Sequence, residues 1–582
     1  MRIQFLIAAL LAILALAFSA SAQETLMREV FDTKTDTHVE LVALFTQPPR
    51  GGYLPVRVKI ANNLDSPRTI RLRFESSPGY FSNRLQMRSG FEFAAGPRAT
   101  LVRDIMVPVS PVPQRHVDEI TVDVIMNSSE GESRASIQGN TPNGLPSVLI
   151  SQALHAPNAS ALDSEIRGMG SSRGSGVFAG KFDPKQLPDD WLAFSGYDCM
   201  ILTDSDWSEI PAGPRNAILS WMKLGGRLLV FPIGHQPNLA ALGIPEDQGF
   251  GSCEVRNQVG PDLKLLPSQV VALTSSTSNP VRHLHAAVQE DFSRSNWPLQ
   301  SRFGSELFEY GLLVAVLIIF SILVGPVNLF VFARGGNRHR LFWTTPLISL
   351  VASLGLIAMI VFQDGFGGEG ARRVLMEVDS DAGGNAAYVH QEQFSRSGIL
   401  TRSGFTVDPK CLMLPVPIAE SRWARFTNNY NTSGSFVLRP MGGKLEASGD
   451  WWQSRSEHGH LLSAVVSTRG RIEKTDSPDT LVSSFDFPID TLYYLDDSKQ
   501  WHRAEGVTTG KPFRLTPVED ALAKPVLSRE AGQFSARNDG MLNRAMRRPG
   551  HFVAITTKAP GVGTHPGIRW RETRTVITGK IR

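Results

Sequence analysis

Cysteine is almost absent: Cys199, Cys253 and Cys411 are three in 582 residues. So few cannot frame a disulfide-stapled fold, and Cys199 sits in an apolar run that reads as a buried strand, which argues against a Cys199–Cys253 bridge. A surplus of either charge is also absent. Lys and Arg total 59 against 55 Asp and Glu, a formal net charge of +4 with no long basic run. Nucleic acid is therefore not an expected partner. Activated nucleophiles are missing too. No Gly-x-Cys-x-Gly turn occurs, and no Gly-x-Ser-x-Gly elbow stands out with a partnered histidine. The glycine-rich stretch Gly168–Gly176 lacks a Lys-Ser/Thr ending and reads as a flexible loop rather than a phosphate cradle.

Charge is missing altogether from two long apolar segments, Gly311–Ala333 and Leu341–Phe362. At about 1.5 Å of rise per residue, each is long enough for a hydrocarbon core roughly 30 Å thick. Between them stand Arg334, Arg338 and Arg340, with no acid. Basic loops stay in the cytoplasm, so these arginines should orient a hairpin that enters the bilayer and returns. Transmembrane helices are expected over residues 308–333 and 341–363, with the cytoplasmic turn at 334–340. Gly325-Pro326 predicts a kink in the first span. Asn328, near its inner end, lies level with Thr344 and Thr345, which predicts a hydrogen bond across the hairpin. Neither apolar segment carries an ionisable residue, so a polar step in a transport path is not expected.

The N-terminus agrees with this topology. Arg2, the apolar run Phe5–Phe18 and Ala20-Ser-Ala22 have the layout of a signal peptide over residues 1–22, cleaved between Ala22 and Gln23. Everything large then lies on the outer side.

Composition describes folded material around the hairpin: 20% charged, 42% hydrophobic. Within residues 23–142, Leu54, Val56, Val58 and Ile60 alternate with Arg57 and Lys59, and the pattern recurs at Ile70, Leu72 and Phe74. It returns at Ile120, Val122, Val124 and Met126. Turn clusters between these runs predict an immunoglobulin-like β-sandwich. Over residues 143–300 strands alternate with helices. Ser147–Ile150, Tyr197–Leu202 and Arg227–Phe231 read as buried strands. Between the last two, a helix opened by Pro211 and Pro214 turns Ala217, Ile218, Trp221 and Met222 inward and stops at Gly225-Gly226. This predicts a doubly wound α/β domain, whose ligands collect beyond the carboxyl ends of the strands. Asp204 and Asp206 lie there after one strand, Gly234 and His235 after another. Residues 370–582 read as β-rich, with strands at Leu375–Val378, Phe436–Leu438, Leu461–Val466, Thr491–Leu495 and His551–Ile555, and with Arg529–Gly550 as a surface loop.

Tyr197-Asp198, Leu202, Trp207 and Trp221-Met-Lys-Leu-Gly-Gly226 together resemble a class I glutamine-amidotransferase-like domain. Val324-Gly-Pro-Val-Asn-Leu-Phe-Val-Phe332 and Phe342-Trp-Thr-Thr-Pro346 strengthen the likeness. They resemble the GPxN first span and the tryptophan-proline second span of a poorly characterised family of bacterial membrane proteins, with the tryptophan-to-proline gap one residue shorter here. The resemblance covers about residues 190–365. It implies architecture, a bacterial setting and a periplasmic exterior, and brings no established activity.

An amidotransferase needs a cysteine on a tight turn and a distant His-x-Glu pair. Cys199 lies inside its strand, and His283-Leu-His285 has no placed carboxylate. Asp204 and Asp206, two apart at a strand end, resemble Mg²⁺-holding carboxylates of haloacid dehalogenase enzymes and of von Willebrand A domains. Here Trp207 and Ser208 stand where the former needs a small residue and threonine; otherwise the stretch is a capped, solvated turn. His458 and His460 could share one strand face, but no third ligand converges on them.

The expectation is a multidomain α/β plus β protein: β-sandwich, amidotransferase-like α/β domain, transmembrane hairpin and C-terminal β-rich region. Its expected function is non-catalytic binding or scaffolding, as an accessory subunit of an envelope complex. The partners expected are the lipid bilayer and other membrane or envelope proteins, with any small-molecule ligand unnamed. No cofactor, metal site or catalytic residue is assigned; Asp204, Asp206, Gly234 and His235 are the candidate ligand contacts. The alternatives are a metal-dependent enzyme using Asp204 and Asp206, or an accessory subunit of a transporter.

Overall fold

The structure is a computed structural model, and it describes residues 23–78, 85–111, 119–129, 131–140, 146–169, 177–235, 237–277, 297–303, 310–332, 334–336, 338–379, 384–416, 418, 434–476 and 480–582. The signal-peptide segment, with Ala22, and the pair His283 and His285 lie outside the described residues. Gln23 directly precedes the first strand, Glu24–Asp32.

In the strand Gly52–Asn62 the apolar alternates are buried while Lys59 faces outward. This strand joins Glu24–Asp32, Thr37–Ala43 and Ala99–Val109 in a four-stranded antiparallel sheet. The sheet shares a core with a second one, through Val39, Leu41 and Val58 on one side and Leu72, Phe74 and Val124 on the other. Each such side chain contributes about 1.5–3 kcal/mol by leaving water. The second sheet has seven strands: Phe405–Val407, Lys444–Gly449, Gly434–Met441, Leu85–Ala95, Arg68–Pro78, Glu119–Ser128 and Gly131–Asn140. Its first three strands come from beyond the apolar hairpin. Gly434–Met441 runs parallel to Leu85–Ala95, with Phe436 beside Met87 and Leu438 beside Ser89. The β region expected at 23–142 is thus completed by strands from 370–582. Alternation tells which face of a strand is buried but not which strand lies at its edge.

The α/β expectation matches in its elements. Five parallel strands lie in the order Gly180–Phe182, Val148–Ser151, Cys199–Thr203, Arg227–Phe231, Ser252–Val255. Helix Ala212–Lys223 covers one face, setting Ile218, Trp221 and Met222 against Met200, Leu202, Leu228 and Val230. The other face buries Ile150, Ile201 and Leu229 under Leu162, Ile166, Val270 and Leu273 of the helices Ala159–Met169 and Pro267–Thr277. Strands buried on both sides account for their unbroken apolar runs.

Most remaining strands form a nine-stranded sheet, whose centre is Ala386–Ser397, Gly368–Val378, Ile568–Lys580 and His551–Thr556. The stretch Arg529–Gly550 corrects the expected surface loop: it holds the end of the helix Asp520–Ala531 and all of the helix Ala536–Ala545. Leu527, Ala531, Met541 and Leu542 pack there on Val553, Ile555 and Val576. The apolar stripe is only a few residues long, and the Arg and Asn between its members hide it.

Among the described residues, two helices are long and apolar enough to cross a membrane, Val314–Phe332 of 19 residues and Arg338–Met359 of 22. The first winds as a π-helix over Leu323–Phe332, around Pro326, whose missing N–H cannot complete an ordinary turn. The expected bond across the hairpin is present. Asn328 Nδ2 donates to Thr345 Oγ1 at 2.8 Å, and Thr344 Oγ1 donates to Asn328 Oδ1 at 2.5 Å. Arg334, Arg338 and Arg340 are exposed at the turn.

Both feet of the hairpin stand on the nine-stranded sheet. Before the first span, buried Trp297 donates Nε1 to Glu392 Oε2 at 2.8 Å and, with Leu299, packs on Ala371, Phe394 and Val416. After the second span the chain turns at Gly367 into the strand Gly368–Val378. Gly367 has φ +81°, and a Cβ there would lie 2.7 Å from the Gly567 carbonyl, so glycine is required.

Candidate functional site

The order of the parallel sheet reverses between Val148–Ser151 and Cys199–Thr203, where an open α/β sheet presents its ligand crevice. Here a Ser151–Asp206 hydrogen bond bridges it. Asp206 is 6% exposed. Its Oδ2 accepts from Ser151 Oγ across the crevice at 2.6 Å, from Thr203 N at 2.9 Å and from Thr203 Oγ1 at 2.8 Å. Thr203 Oγ1 accepts in turn from Asp206 N at 3.0 Å, a reciprocal cap on the helix Asp204–Glu209. Trp207 is buried beside it and donates Nε1 to Leu242 O at 2.8 Å. Asp204 Oδ1 accepts from Ile233 N at 3.0 Å and so pins the loop after Arg227–Phe231. Gly234, with φ +83°, and His235 are exposed on that loop. The four residues expected at the strand ends do gather there. The two carboxylates, however, are engaged by hydroxyl and backbone donors that fix the fold.

The cysteine and histidine candidates Cys199, His458 and His460 are all held in structural positions. Cys199 is buried within its strand, and burial pushes its thiol up to about 12, whereas the reactive form is the thiolate. Cys199 pairs with Arg227, and Leu228 on that same strand pairs with Cys253, so a whole strand separates the two cysteines. Two spacings of about 4.8 Å exceed the reach of a disulfide. His460 is held between Trp451 O and Gln393 Nε2, and His458 Nε2 meets the Gln453 backbone. Both imidazoles are structural members of an aromatic cluster with Trp451 and Trp452.

The most unusual chemistry lies where the α/β region meets the nine-stranded sheet. Lys223 and Asp379 form a buried ion pair at 2.8 Å. His390 donates Nε2–H to Leu224 O at 2.9 Å and accepts at Nδ1 from Ser463 Oγ at 2.9 Å. Burial, then the nearby Arg537 charge, lowers its pKa to about 3. Arg548 reaches two regions at once, Asp247 Oδ1 at 3.0 Å and Glu377 Oε2 at 2.7 Å. Burial opposes its charge, but the Glu377 and Asp247 carboxylates outweigh that and raise its pKa. His551 Nε2 lies 3.5 Å from Asp247 Oδ2. Among the described residues, Asp247, Glu377 and His551 bring three ligating atoms within 4.8 Å of one another. None of the three stood out in the sequence, because they come from a loop and two strands with no motif spacing between them.

No protein-family profile and no curated protein matches the chain. Among solved structures, a calcium-binding mutant of Bacteroides uniformis β-glucuronidase 2 is similar at a TM-score of 0.15 and 10% identity, over 37% of this chain and 26% of that one. A Bacteroides uniformis β-glucuronidase crystal structure is similar at 0.13 and 12%, over 38% and 26%. The same β-glucuronidase 2 with a covalently bound cyclophellitol-6-carboxylate aziridine gives 0.14 and 11%, over 46% and 32%. The chain thus spans between a quarter and a third of these proteins' lengths, and at such TM-scores the likeness carries no argument.

Proposed function

We propose that this chain is a two-span protein of the bacterial inner membrane that holds partners at the periplasmic face, as a non-catalytic scaffold subunit of an envelope complex. One observation carries the topology. The strand Gly434–Met441, beyond the hairpin, pairs with Leu85–Ala95, before it, in one sheet. Two spans joined by a short turn return the chain to the side it left, and a shared sheet requires that return. The arginines at the turn favour the cytoplasm for the tip. A reporter active only in the cytoplasm, fused after Arg582, should be silent, and activity there would overturn the reading.

The hydrogen bonds made by Asp204 and Asp206 support the non-catalytic part. Asp206 is satisfied internally, Trp207 lies beside it, and Cys199 is inert inside a strand. On this reading the β layers are immunoglobulin-like and the parallel-sheet region is a degenerate amidotransferase-like domain, kept for its surfaces. Cys199→Ala should cost only about 1 kcal/mol of packing and leave the cellular phenotype intact. Loss of the phenotype at a normal level of folded protein would restore an enzymatic role. Partners are sought by co-purification of the full chain in mild detergent.

A further inference from the structure

We propose that Asp247, Glu377 and His551 bind one first-row divalent cation of the zinc or manganese class, which clamps the parallel-sheet region onto the nine-stranded sheet. The tautomer of His551 opens the argument. Its Nδ1 lies 2.9 Å from Pro549 O, a carbonyl that only accepts, so Nδ1 carries the hydrogen. Its other ring nitrogen, Nε2, is buried and without a hydrogen-bond partner. It faces Asp247 Oδ2 at 3.5 Å, beyond the roughly 2.7–3.2 Å of a nitrogen–oxygen hydrogen bond. An imidazole nitrogen and a carboxylate oxygen at this separation are both atoms that ligate a divalent cation. Zinc bonds of about 2.1 Å in a tetrahedral site put donor atoms about 3.4 Å apart, close to the separation seen here.

Glu377 supplies the independent observation. It is 2% exposed, and Arg548 at 2.7 Å and Thr578 Oγ1 at 2.8 Å both donate to its Oε2. Its Oε1 is buried with no hydrogen-bond partner, a costly state for a carboxylate oxygen unless something binds it. The remaining donor separations lie within 4.8 Å. Arg548 grips an opposite oxygen on each acid, as outer-shell donors do when they orient metal-binding carboxylates. One imidazole with two carboxylates suits zinc or manganese, and the lack of thiolate disfavours Cu(I). A fourth position is left for water.

The clamp joins three segments. Asp247 sits in a loop of the parallel-sheet region, Glu377 near the end of the strand Gly368–Val378, and His551 at the start of His551–Thr556. The test uses the full-length protein in mild detergent, stripped with EDTA and then titrated with Zn²⁺ or Mn²⁺. One equivalent per chain should remain after gel filtration, with Tm higher by a few degrees at about 100 times the dissociation constant. H551Q and E377Q should each lose both effects. Retention of the full equivalent in folded H551Q would overturn the site. Co²⁺ loading of the unaltered protein reads the site without any variant. Visible d–d absorption displaced by Zn²⁺ is expected, and its absence would leave an ion-pair network and refute the metal.

Discussion

His390→Gln isolates one buried imidazole as a source of acid sensitivity. In an unfolded chain histidine titrates near 6.5, while in the folded protein burial, with the Arg537 charge behind it, holds His390 at about 3. Below about pH 6.5 the unfolded state therefore binds a proton that the folded state does not. The stability tied to this residue is fully present above that pH and drains as pH falls toward 3, by up to about 1.4 kcal/mol per unit. Between pH 7.5 and 5.0 the loss comes to about 2 kcal/mol. Glutamine keeps an amide donor for Leu224 O and has nothing to titrate. Urea unfolding of the full-length protein in detergent, followed by tryptophan fluorescence, should show a drop over this interval about 2 kcal/mol larger in the wild type than in His390→Gln. Burial also drives His460 well below its ordinary value, but it is common to both proteins and cancels in the difference. Equal drops would refute the reasoning and mean that His390 is already charged, or hydrated, in the folded state.

Trp221→Ala removes a buried indole whose Nε1 donates to Tyr197 O at 3.1 Å; thermal unfolding should register a loss of about 3–5 kcal/mol. Asp206→Asn breaks the reciprocal cap and disturbs the bond to Ser151, so Tm should fall by the equivalent of about 1–3 kcal/mol. That fall should be the same with and without millimolar Mg²⁺, and a Mg²⁺-dependent difference would revive the metal-enzyme alternative at Asp204 and Asp206. Asn328→Leu deletes both cross-hairpin bonds and should cost about 1 kcal/mol in detergent unfolding, with no change in which side the turn faces.

Local chemistry was readable from residue order where a periodic pattern carried it. The strand Arg227–Phe231 and the inward face of the helix Ala212–Lys223 follow from apolar runs and a Gly-Gly stop. The level of Asn328 with Thr344 and Thr345 follows from counting along two antiparallel helices. What long-range pairing decides was not readable. The spacing of Asp204 and Asp206 was plain, but the meaning of Asp206 depends on Ser151, 55 residues away. The helix Ala536–Ala545 was hidden because its buried side includes Asn538, and Asn543 and Arg544 interrupt the stripe. The Asp247, Glu377 and His551 group has no sequence signal, since each residue alone resembles an ordinary surface or strand position.

The shared seven-stranded sheet also constrains how the chain reaches its final form. Until Gly434–Met441 arrives, Leu85–Ala95 offers an unpaired edge of backbone donors and acceptors. Its partner is made only after the hairpin, so on the proposed topology it must be delivered across the bilayer before the sheet can close. Contacts of such sequence separation form slowly, because loop-closure entropy must be overcome before they are rewarded. The hairpin shortens that search. With Trp297 docked through Glu392 and the second foot leading directly into Gly368–Val378, the C-terminal strands enter beside the surface they complete. Glu392 also accepts from Ser535 N and Oγ and from Asn538 Nδ2, so one buried carboxylate fixes the hairpin's first foot and the start of the helix Ala536–Ala545 together. The two apolar helices therefore also act within the fold: they set where the two halves of one β structure meet.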